Sequence, residues 1–466
     1  MINLKKLTAA ALALVLSCSL CVGTTAFATE ATNSNTETEE LTQEEKDKLY
    51  EKQLKEIYNK PVQSNEIANW PKGPGTYGEA AIVMDAGTGA ILYAKNIDDQ
   101  HYPASITKVL TALVAFENAS LDDEVTISAD CVNFLQPGDS SIALKKGNKL
   151  SLKDTMYAML LASANEAAYA VAENVGKNAG YDYDWFIQQM NETCKRIGGT
   201  NSNFVNANGL HDENHYTSAH DMALIGKELF KYPEFFEIVQ TRQYIIEETK
   251  TVEEHVFQQK HKMLLDGYQA YYKYATGGKT GYTTDALNTL ITMADNGEQQ
   301  LVCVLLREQG GRSYADTTAL FEYVFNNFQR IDVAELEQSE DVGEILTDQE
   351  GGYVTLPEGV EFSDLQMELT PDETPTGEAT LTYTYEGNMV GTARATLSDS
   401  YIDAHKVKIE VKEEKSQEKF GNSTEDKILI GAIVVLVVLI IAFIRVSIVR
   451  SRRRRRRRGR RNKGKK

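Results

Sequence analysis

The sequence has few cysteines and no tandem repeat. Only five cysteines occur in 466 residues, and two of them, Cys18 and Cys21, lie in an apolar segment near the N-terminus. The other three, Cys131, Cys194 and Cys303, are an odd number at wide, irregular spacing, which argues against a disulfide framework. Cys303 lies in a run of apolar residues, so we expect a buried thiol there. None of the three has a catalytic partner in the sequence.

Acidic residues are absent from both ends of the chain. Residues 1–28 carry two lysines and residues 428–466 carry fourteen lysines or arginines, with no Asp or Glu in either segment. Residues 29–427 hold 33 basic and 67 acidic residues, a net charge of −34, within a total of −18. Because such a body repels phosphates, the charge pattern argues against nucleic acid as the main partner.

The N-terminal segment has the pattern of a secretory signal peptide. Two lysines precede an apolar run at 7–22, and the small-residue sequence Ala-Phe-Ala follows at 26–28. This order predicts a signal peptide over residues 1–28, with cleavage after Ala28. A lipoprotein signal and an uncleaved anchor are the alternatives, but the residues before Cys18 and Cys21 make poor lipoprotein motifs.

The C-terminal segment has the pattern of a membrane anchor. Residues 428–444 carry no charge, and extension to Val449 gives a helix of about 33 Å, enough for a bilayer core, with Arg445 reaching the interface. We therefore predict a transmembrane helix over 428–449 and a polybasic cytoplasmic tail over 450–466, which leaves the acidic body extracellular. A nuclear-localisation signal is the alternative for the arginine run, but its position directly behind an apolar span favours an anchor.

The chain between its ends divides into four predicted parts. Residues 29–67 are a polar, acidic spacer with a short helix at 41–59. Residues 68–330 alternate apolar strands and amphipathic helices, which is typical of a mixed α/β or α+β domain and includes a hairpin around Gly87-Thr88-Gly89. Residues 331–415 have short alternating runs that predict a small β-sandwich, and residues 416–427 form a hydrophilic linker.

Three short motifs occur in one order, and the first is Ser105-Ile106-Thr107-Lys108. Pro103 fits just before a helix start, so Ser105 is predicted in the first turn with Lys108 one turn later on the same face. A serine needs a neighbouring base to attack an amide, and lysine serves only when neutral, which requires a lowered pKa. A helix cap and a solvated lysine are the alternative interpretation of this motif alone.

The second motif, Ser163-Ala164-Asn165, separates two predicted helices at 152–161 and 166–175. A hydroxyl and an amide at such a junction can relay a proton and hold a substrate carbonyl. A simple helix break with a capping residue is the alternative, so the motif is weak by itself.

The third motif, Lys279-Thr280-Gly281, follows two glycines and reads as a strand that a ligand can approach closely. A peptide-like substrate can lie along that edge, with Lys279 and Thr280 facing its carboxylate. The backbone N–H groups of Tyr282 and Ser105 can then form an oxyanion hole. A structural glycine-rich strand is the alternative. Only the ordered set of three motifs makes a strong signal for serine acyl transfer.

With these motifs, residues 70–415 resemble the low-molecular-mass penicillin-binding proteins that are D-alanyl-D-alanine carboxypeptidases. The resemblance also includes Ala86-Gly87-Thr88-Gly89 and Asn206-Ala207-Asn208-Gly209-Leu210. It implies an α+β, β-lactamase/transpeptidase-like catalytic domain, with a five-stranded antiparallel sheet between helical layers, followed by a β-rich domain near the membrane.

The resemblance also implies a reaction and its residues. Ser105 is acylated by the penultimate D-alanine of a peptidoglycan stem peptide, with Lys108 as base, and water then frees the enzyme. Ser163 and Asn165 assist proton transfer and position the substrate. The substrate-binding residues implied are Lys279, Thr280, Gly281, Tyr282 and, after the sheet, Arg312. β-Lactam antibiotics are the implied covalent inhibitors, and no cofactor is expected.

The chain departs from the family pattern before and after the K-T-G strand. Residues 259–265 replace an asparagine-rich stretch, and residues 286–290 lack the usual glycine and cysteine. These changes bear on substrate geometry rather than on the reaction class. A C-terminal transmembrane helix also replaces the amphipathic surface helix that is common among relatives.

Three other functions are compatible with parts of the sequence. A β-lactamase shares the three motifs, but no acidic E-x-x-L-N type loop occurs between Asn165 and Lys279 to supply a deacylating base. A non-catalytic wall-binding scaffold that keeps the fold is disfavoured by the intact motifs. A metal site built on His211 and His215 lacks further ligands in the sequence.

Overall fold

The computed structural model describes residues 42–347, 351–372 and 376–405. The predicted signal peptide, hydrophilic linker, transmembrane helix and basic tail lie outside these residues, as do residues 406–415 of the predicted β-sandwich. Among the residues described, no helix is both long enough and apolar enough to cross a membrane.

The helices and strands are numbered in chain order. The helices of the described residues are α1 Gln43–Tyr58, α2 Thr107–Asn118, α3 Asp130–Asn133, α4 Leu152–Leu160, α5 Asn165–Asn178, α6 Tyr183–Arg196, α7 Ala219–Leu229, α8 Pro233–Gln240, α9 Ser313–Asn327 and α10 Asp399–His405. Their strands are β1 Gly78–Asp85, β2 Ile91–Lys95, β3 Glu124–Thr126, β4 Lys149–Ser151, β5 Gln243–Ile246, β6 His255–Gln258, β7 Ala275–Thr283, β8 Leu287–Asp295, β9 Gln300–Glu308, β10 Phe328–Asp332, β11 Val342–Ile345, β12 Tyr353–Pro357, β13 Gln366–Pro371, β14 Glu378–Tyr385 and β15 Asn388–Leu397.

The chain divides into two compact units between Gln53 and Leu54. The described part of the first unit is the exposed, highly charged start of α1, where Lys48 Nζ lies 2.6 Å from Glu44 Oε1. In the second unit, Leu54 and Ile57 are buried. They are three residues apart on one helix face, so the last part of the predicted spacer joins a folded core.

A five-stranded antiparallel sheet forms the centre of the second unit, in the order β2-β1-β9-β8-β7. The hairpin predicted around Gly87-Thr88-Gly89 connects β1 to β2. Asp85 fixes this turn, because its Oδ1 accepts hydrogen bonds from the backbone N–H groups of Gly87 and Thr88. Strand β7, which carries the K-T-G motif, lies at one edge of the sheet.

Both faces of this sheet are covered, which explains why its central strands are apolar at nearly every position. On β1, Ile82 and Met84 contact the core that includes α2, α5 and α7. Val83 points the other way, into a core that includes α9 and strand β12. Alternate residues of a strand face opposite sides, so a continuous apolar run serves two helical layers. The predicted α+β fold with an antiparallel central sheet is confirmed.

The C-terminal strands form a second antiparallel sheet of six strands, in the order β10-β12-β15-β14-β13, with β11 also pairing with β15. The predicted hairpin is present as β14 and β15, and its turn residues Glu386 and Gly387 have positive φ values of 48° and 77°. The strands between residues 328 and 397 therefore form one sheet of the predicted β-sandwich domain. The second sheet that a sandwich requires is not seen among the described residues.

Cysteines 131, 194 and 303 are buried free thiols, and the burial of Cys303 confirms the prediction from its apolar sequence context. Burial raises the pKa of Cys131 to about 11 and that of Cys194 to about 12. A thiol is reactive as the thiolate, so such surroundings make both groups inert at neutral pH.

Candidate active site

The predicted nucleophile lies where a short 3₁₀ turn, Ala104–Ile106, runs into α2. Ala104, directly before Ser105, has a φ of +50°, a left-handed conformation that non-glycine residues adopt at a cost and that is often found at functional sites. The Thr107 hydroxyl donates a hydrogen bond to the Ala104 carbonyl over 2.9 Å. The serine is thus presented from a constrained turn rather than from a regular helix.

Lys108 is fully buried and contacts Ser105. Its Nζ lies 3.0 Å from Ser105 Oγ, 2.8 Å from Asn165 Oδ1 and 2.6 Å from the Asn208 carbonyl oxygen. A neutral amine has two N–H donors and one lone pair. Because an amide oxygen can only accept, Asn165 and Asn208 take the two N–H groups and leave the lone pair facing the serine hydroxyl.

Burial lowers the pKa of Lys108 well below its ordinary value, and the positive charge of Lys279 lowers it further. The buried carboxylate of Glu166 acts in the opposite direction. Burial disfavours the charged form of any amine, and a like charge nearby adds to that effect. The first motif therefore contains an amine whose neutral, proton-accepting form is favoured by its surroundings.

The second motif lies at the junction of α4 and α5, as predicted, and Asn165 is the first residue of α5. Ser163 has a φ of +65°, and the backbone N–H of Asn165 donates to the Ser140 carbonyl over 2.8 Å. Both motif side chains are buried. The Asn165 amide oxygen contacts Lys108, which joins the second motif to the first.

The third motif lies on edge strand β7, where Lys279 is only 2% exposed. Burial, followed by the charge of Lys260, lowers the pKa of Lys279 to about 7. Its Nζ donates to the Thr280 carbonyl over 2.8 Å. The neighbouring Thr280 is partly exposed.

Gly281 lets β7 approach the nucleophile closely. A Cβ atom at this position would lie 2.3 Å from Thr289 Oγ1 and 2.9 Å from the backbone nitrogen of Ser105. No side chain fits there. The next residue, Tyr282, is 64% exposed. The glycine thus brings the strand beside the Ser105 N–H, the arrangement that an oxyanion hole needs.

Arg312, the predicted carboxylate-binding arginine, contacts Tyr77 and Glu308. Its guanidinium carbon lies 4.2 Å from the centre of the Tyr77 ring, and its backbone N–H donates to Glu308 Oε1 over 2.8 Å. These contacts place it at the start of α9. A contact between Arg312 and a substrate carboxylate stays a prediction.

Two residues near the nucleophile, Asn208 and Gly209, were given no role in the sequence analysis. The Asn208 carbonyl is the third partner of Lys108, and Gly209 has a φ of +82° with no space for a Cβ atom, which would lie 1.9 Å from the Ala104 carbonyl oxygen. The segment Asn206–Leu210 was recognised only by resemblance. Its glycine is the signal that marks a close backbone contact.

His215 supports the nucleophile turn instead of binding a metal. Its Nδ1 accepts from the Val205 N–H over 3.0 Å, so Nε2 carries the proton and donates to Thr107 Oγ1 over 2.9 Å. Burial lowers the pKa of His215 to about 4. Among the described residues, no group of three or more His, Cys, Asp or Glu side chains is arranged to hold a metal ion.

The three motifs thus meet around Ser105. Lys108 and Asn165 contact each other, and Gly281 adjoins the serine nitrogen. The arrangement combines a hydroxyl nucleophile, a buried amine in contact with that hydroxyl, and the edge strand β7 beside it. Chemically, this is a site for acyl transfer through a covalent serine ester.

A sequence profile described as D-alanyl-D-alanine carboxypeptidase matches residues 68–310, slightly more than half of the chain. The D-alanyl-D-alanine carboxypeptidase DacF of Bacillus subtilis is 28% identical over 261 residues, which cover 54% of this chain and 63% of the relative. DacC of Escherichia coli, another D-alanyl-D-alanine carboxypeptidase, is 27% identical over 351 residues, or 71% of this chain and 83% of the relative. The chain thus spans less than two thirds of the length of DacF.

Among solved structures, the Streptomyces K15 DD-transpeptidase is similar, with a TM-score of 0.50 and 26% identity. The match covers 55% of this chain and 100% of that protein, and it confirms the predicted transpeptidase-like fold.

Proposed function

The chain belongs to the D-alanyl-D-alanine carboxypeptidase family, and we propose that it removes the terminal D-alanine from peptidoglycan pentapeptide stems through an acyl-enzyme on Ser105. The observation that carries the proposal is the set of three hydrogen-bond partners around Lys108 Nζ. That set directs the lone pair of a neutral amine to the serine hydroxyl.

The proposed acylation begins when Lys108 takes the Ser105 proton. Ser105 Oγ then attacks the carbonyl carbon of the penultimate D-alanine, and the backbone N–H groups of Ser105 and Tyr282 stabilise the oxyanion. The peptide C–N bond breaks as the leaving nitrogen receives a proton, with Ser163 between the amine base and that nitrogen. Terminal D-alanine departs, and a serine ester remains.

Deacylation in this proposal is hydrolysis. Water attacks the ester carbonyl, a proton passes back to Ser105 Oγ through Lys108, and the shortened stem peptide leaves. Lys279, Thr280 and Arg312 are the proposed contacts for the terminal carboxylate of the substrate. Binding a carboxylate favours the charged form of Lys279, so its pKa of about 7 in the free protein rises in the complex. β-Lactams, which also carry a carboxylate, acylate the same serine in this proposal.

We also propose that the catalytic domain acts at the outer face of the bacterial membrane. Support comes from the charge and hydropathy of the ends: residues 1–28 as a signal peptide, 428–449 as a single span and 450–466 as a cytoplasmic basic tail. An acidic body on the outside then has the cell wall as its neighbour.

The proposed activity is tested with the full chain in detergent and a pentapeptide ending in D-Ala-D-Ala. We expect release of D-alanine by the wild type and none by Ser105→Ala. Equal release by both proteins would refute the proposal. Nitrocefin separates the β-lactamase alternative, since a carboxypeptidase forms a persistent adduct, whereas rapid multiple turnover identifies a lactamase.

A further inference from the structure

Lys260 brings a third lysine to the acyl-transfer site, in the stretch where the chain departs from the asparagine-rich pattern of its family. Its Nζ donates a hydrogen bond to the Ala162 carbonyl over 2.5 Å. Ala162 directly precedes Ser163, the residue with a φ of +65° in the second motif. The lysine therefore holds the peptide plane that leads into this strained turn.

The backbone that carries Lys260 is fixed on both sides. The buried side chain of Gln259 donates to the Val239 carbonyl over 2.5 Å and accepts from the His261 N–H over 2.9 Å. The buried His261 ring contacts Thr292 Oγ1 on β8 over 3.0 Å. Lys260 thus reaches the Ala162 carbonyl from a rigid base, so its hydrogen bond can hold the Ser163 turn in place.

Lys260 also adds positive charge around the two motif lysines. It is an exposed residue, and its charge lowers the pKa values of both Lys108 and Lys279. The other charged groups that act on Lys108 are Lys279, Glu166 and Asp139. For Lys279, burial is the largest cause of the lowered pKa and the charge of Lys260 is the next.

We propose that Lys260 is a positioning residue of the acyl-transfer site, which holds the Ser163 turn through the Ala162 carbonyl and supplies a third positive charge beside Lys108 and Lys279. This inference rests on the proposed function. It assigns two separable effects to one side chain: a hydrogen bond that fixes geometry, and a charge that sets the pH range of acylation.

The two effects predict different changes in the rate of acylation by a fluorescent penicillin. The rate rises with pH as Lys108 becomes neutral, and it falls as Lys279 loses the charge that binds the carboxylate, which gives a bell-shaped profile. Removing a neighbouring positive charge raises both pKa values. Both limbs then move to higher pH, whereas a purely structural defect lowers the maximum without moving the limbs.

Three substitutions separate these effects. Lys260→Met removes both the hydrogen bond and the charge. We expect its maximal acylation rate to be about 10-fold lower and both limbs of its pH profile to lie about half a pH unit or more higher in pH. Lys260→Gln keeps an N–H donor without charge, so its profile shifts while its maximum stays within about threefold of the wild type. Lys260→Arg keeps the charge, so its limbs stay at the wild-type pH. Lys262→Met, at an exposed lysine two residues away, is the matched control and leaves the profile unchanged.

The experiment uses the full chain in detergent at fixed ionic strength, with the thermal unfolding midpoint of each variant as a folding control. Limbs of Lys260→Met and Lys260→Gln that superimpose on those of the wild type overturn the inference, as does an equal shift in Lys262→Met. If Lys260→Met does not fold, the Gln and Arg variants decide the charge effect. A wild type that forms no Ser105 adduct refutes the proposed function instead, so the two failures are distinguishable.

Discussion

Lys108 Nζ and Asn165 Oδ1 lie 2.8 Å apart, although 57 residues separate them in the sequence. This hydrogen bond connects the start of α2 to the start of α5. It occupies one N–H of the amine, as the Asn208 carbonyl occupies the other, and so determines the direction of the lone pair.

Replacing Asn165 with alanine tests this relationship. Without the amide oxygen, the amine of Lys108 is free to turn away from Ser105, and we expect acylation by a fluorescent penicillin to slow about 100-fold, the scale of a general-base contribution. Asn178→Ala, at the exposed C-terminal residue of the same helix, is the control and should acylate at the wild-type rate. Equal rates for the two variants would show that the hydrogen bond does not position the base.

Gly281→Ala tests the close approach of β7 to the nucleophile. The added Cβ meets Thr289 Oγ1 at 2.3 Å and the Ser105 nitrogen at 2.9 Å, so the strand must move away from the serine. A displacement of about 1 Å at a reacting group can cost about 100-fold in rate, and we expect that loss in acylation. Thr284→Ala, at an exposed residue three positions later, serves as control. An unchanged rate in Gly281→Ala would contradict the predicted role of this edge in acylation.

His215 predicts a loss of stability in acid. Its pKa is lowered from 6.5 to about 4 in the folded protein, so below pH 6.5 the unfolded chain binds a proton that the folded chain excludes. Its contribution is fully present above about pH 6.5 and is lost as the pH falls toward 4, at most about 3 kcal/mol. We expect thermal unfolding midpoints between pH 7 and 4.5 to fall less steeply for His215→Gln than for the wild type. Parallel curves would contradict the buried, neutral histidine.

Tyr353→Phe tests the contact between the two sheets without touching the active site. The Tyr353 hydroxyl donates to Asp85 Oδ1 over 2.7 Å, and Thr355 Oγ1 donates to the other oxygen over 3.1 Å. Loss of a donor to a buried carboxylate costs about 1–3 kcal/mol, so we expect a lower free energy of unfolding in denaturant and an unchanged acylation rate.

The control is Tyr385→Phe, which removes a hydroxyl that accepts from the Asn69 amide and should cost less than Tyr353→Phe. An equal or larger loss of unfolding free energy in Tyr385→Phe would contradict a special contribution of the hydrogen bond from Tyr353 to Asp85.

Local patterns in the sequence predicted much of the fold and the main motif residues. Ser105 and Lys108 are three residues apart, so helical periodicity alone places them on one face. The hairpin around Gly87 follows from its turn residues in the same way. The central strands are predictable because their apolar runs match a sheet with both faces covered.

The contacts that hold the site are not visible in local patterns. Asn208 is 100 residues from Lys108 in sequence, and Lys260 is 98 residues from Ala162. Such contacts depend on the packing of separate elements. Arg312 shows the converse, because its spacing after the sheet matches the family pattern while its guanidinium lies on Tyr77.

The most direct test of the central claim is peptide mapping by mass spectrometry of the full chain after a short exposure to a fluorescent penicillin. We predict a single adduct, on Ser105, that is absent from Ser105→Ala and forms at least about 1000-fold more slowly in Lys108→Met. Thermal unfolding midpoints of the three proteins control for folding. An adduct on another residue, or acylation of Lys108→Met at the wild-type rate, would contradict a serine nucleophile activated by the buried amine of Lys108.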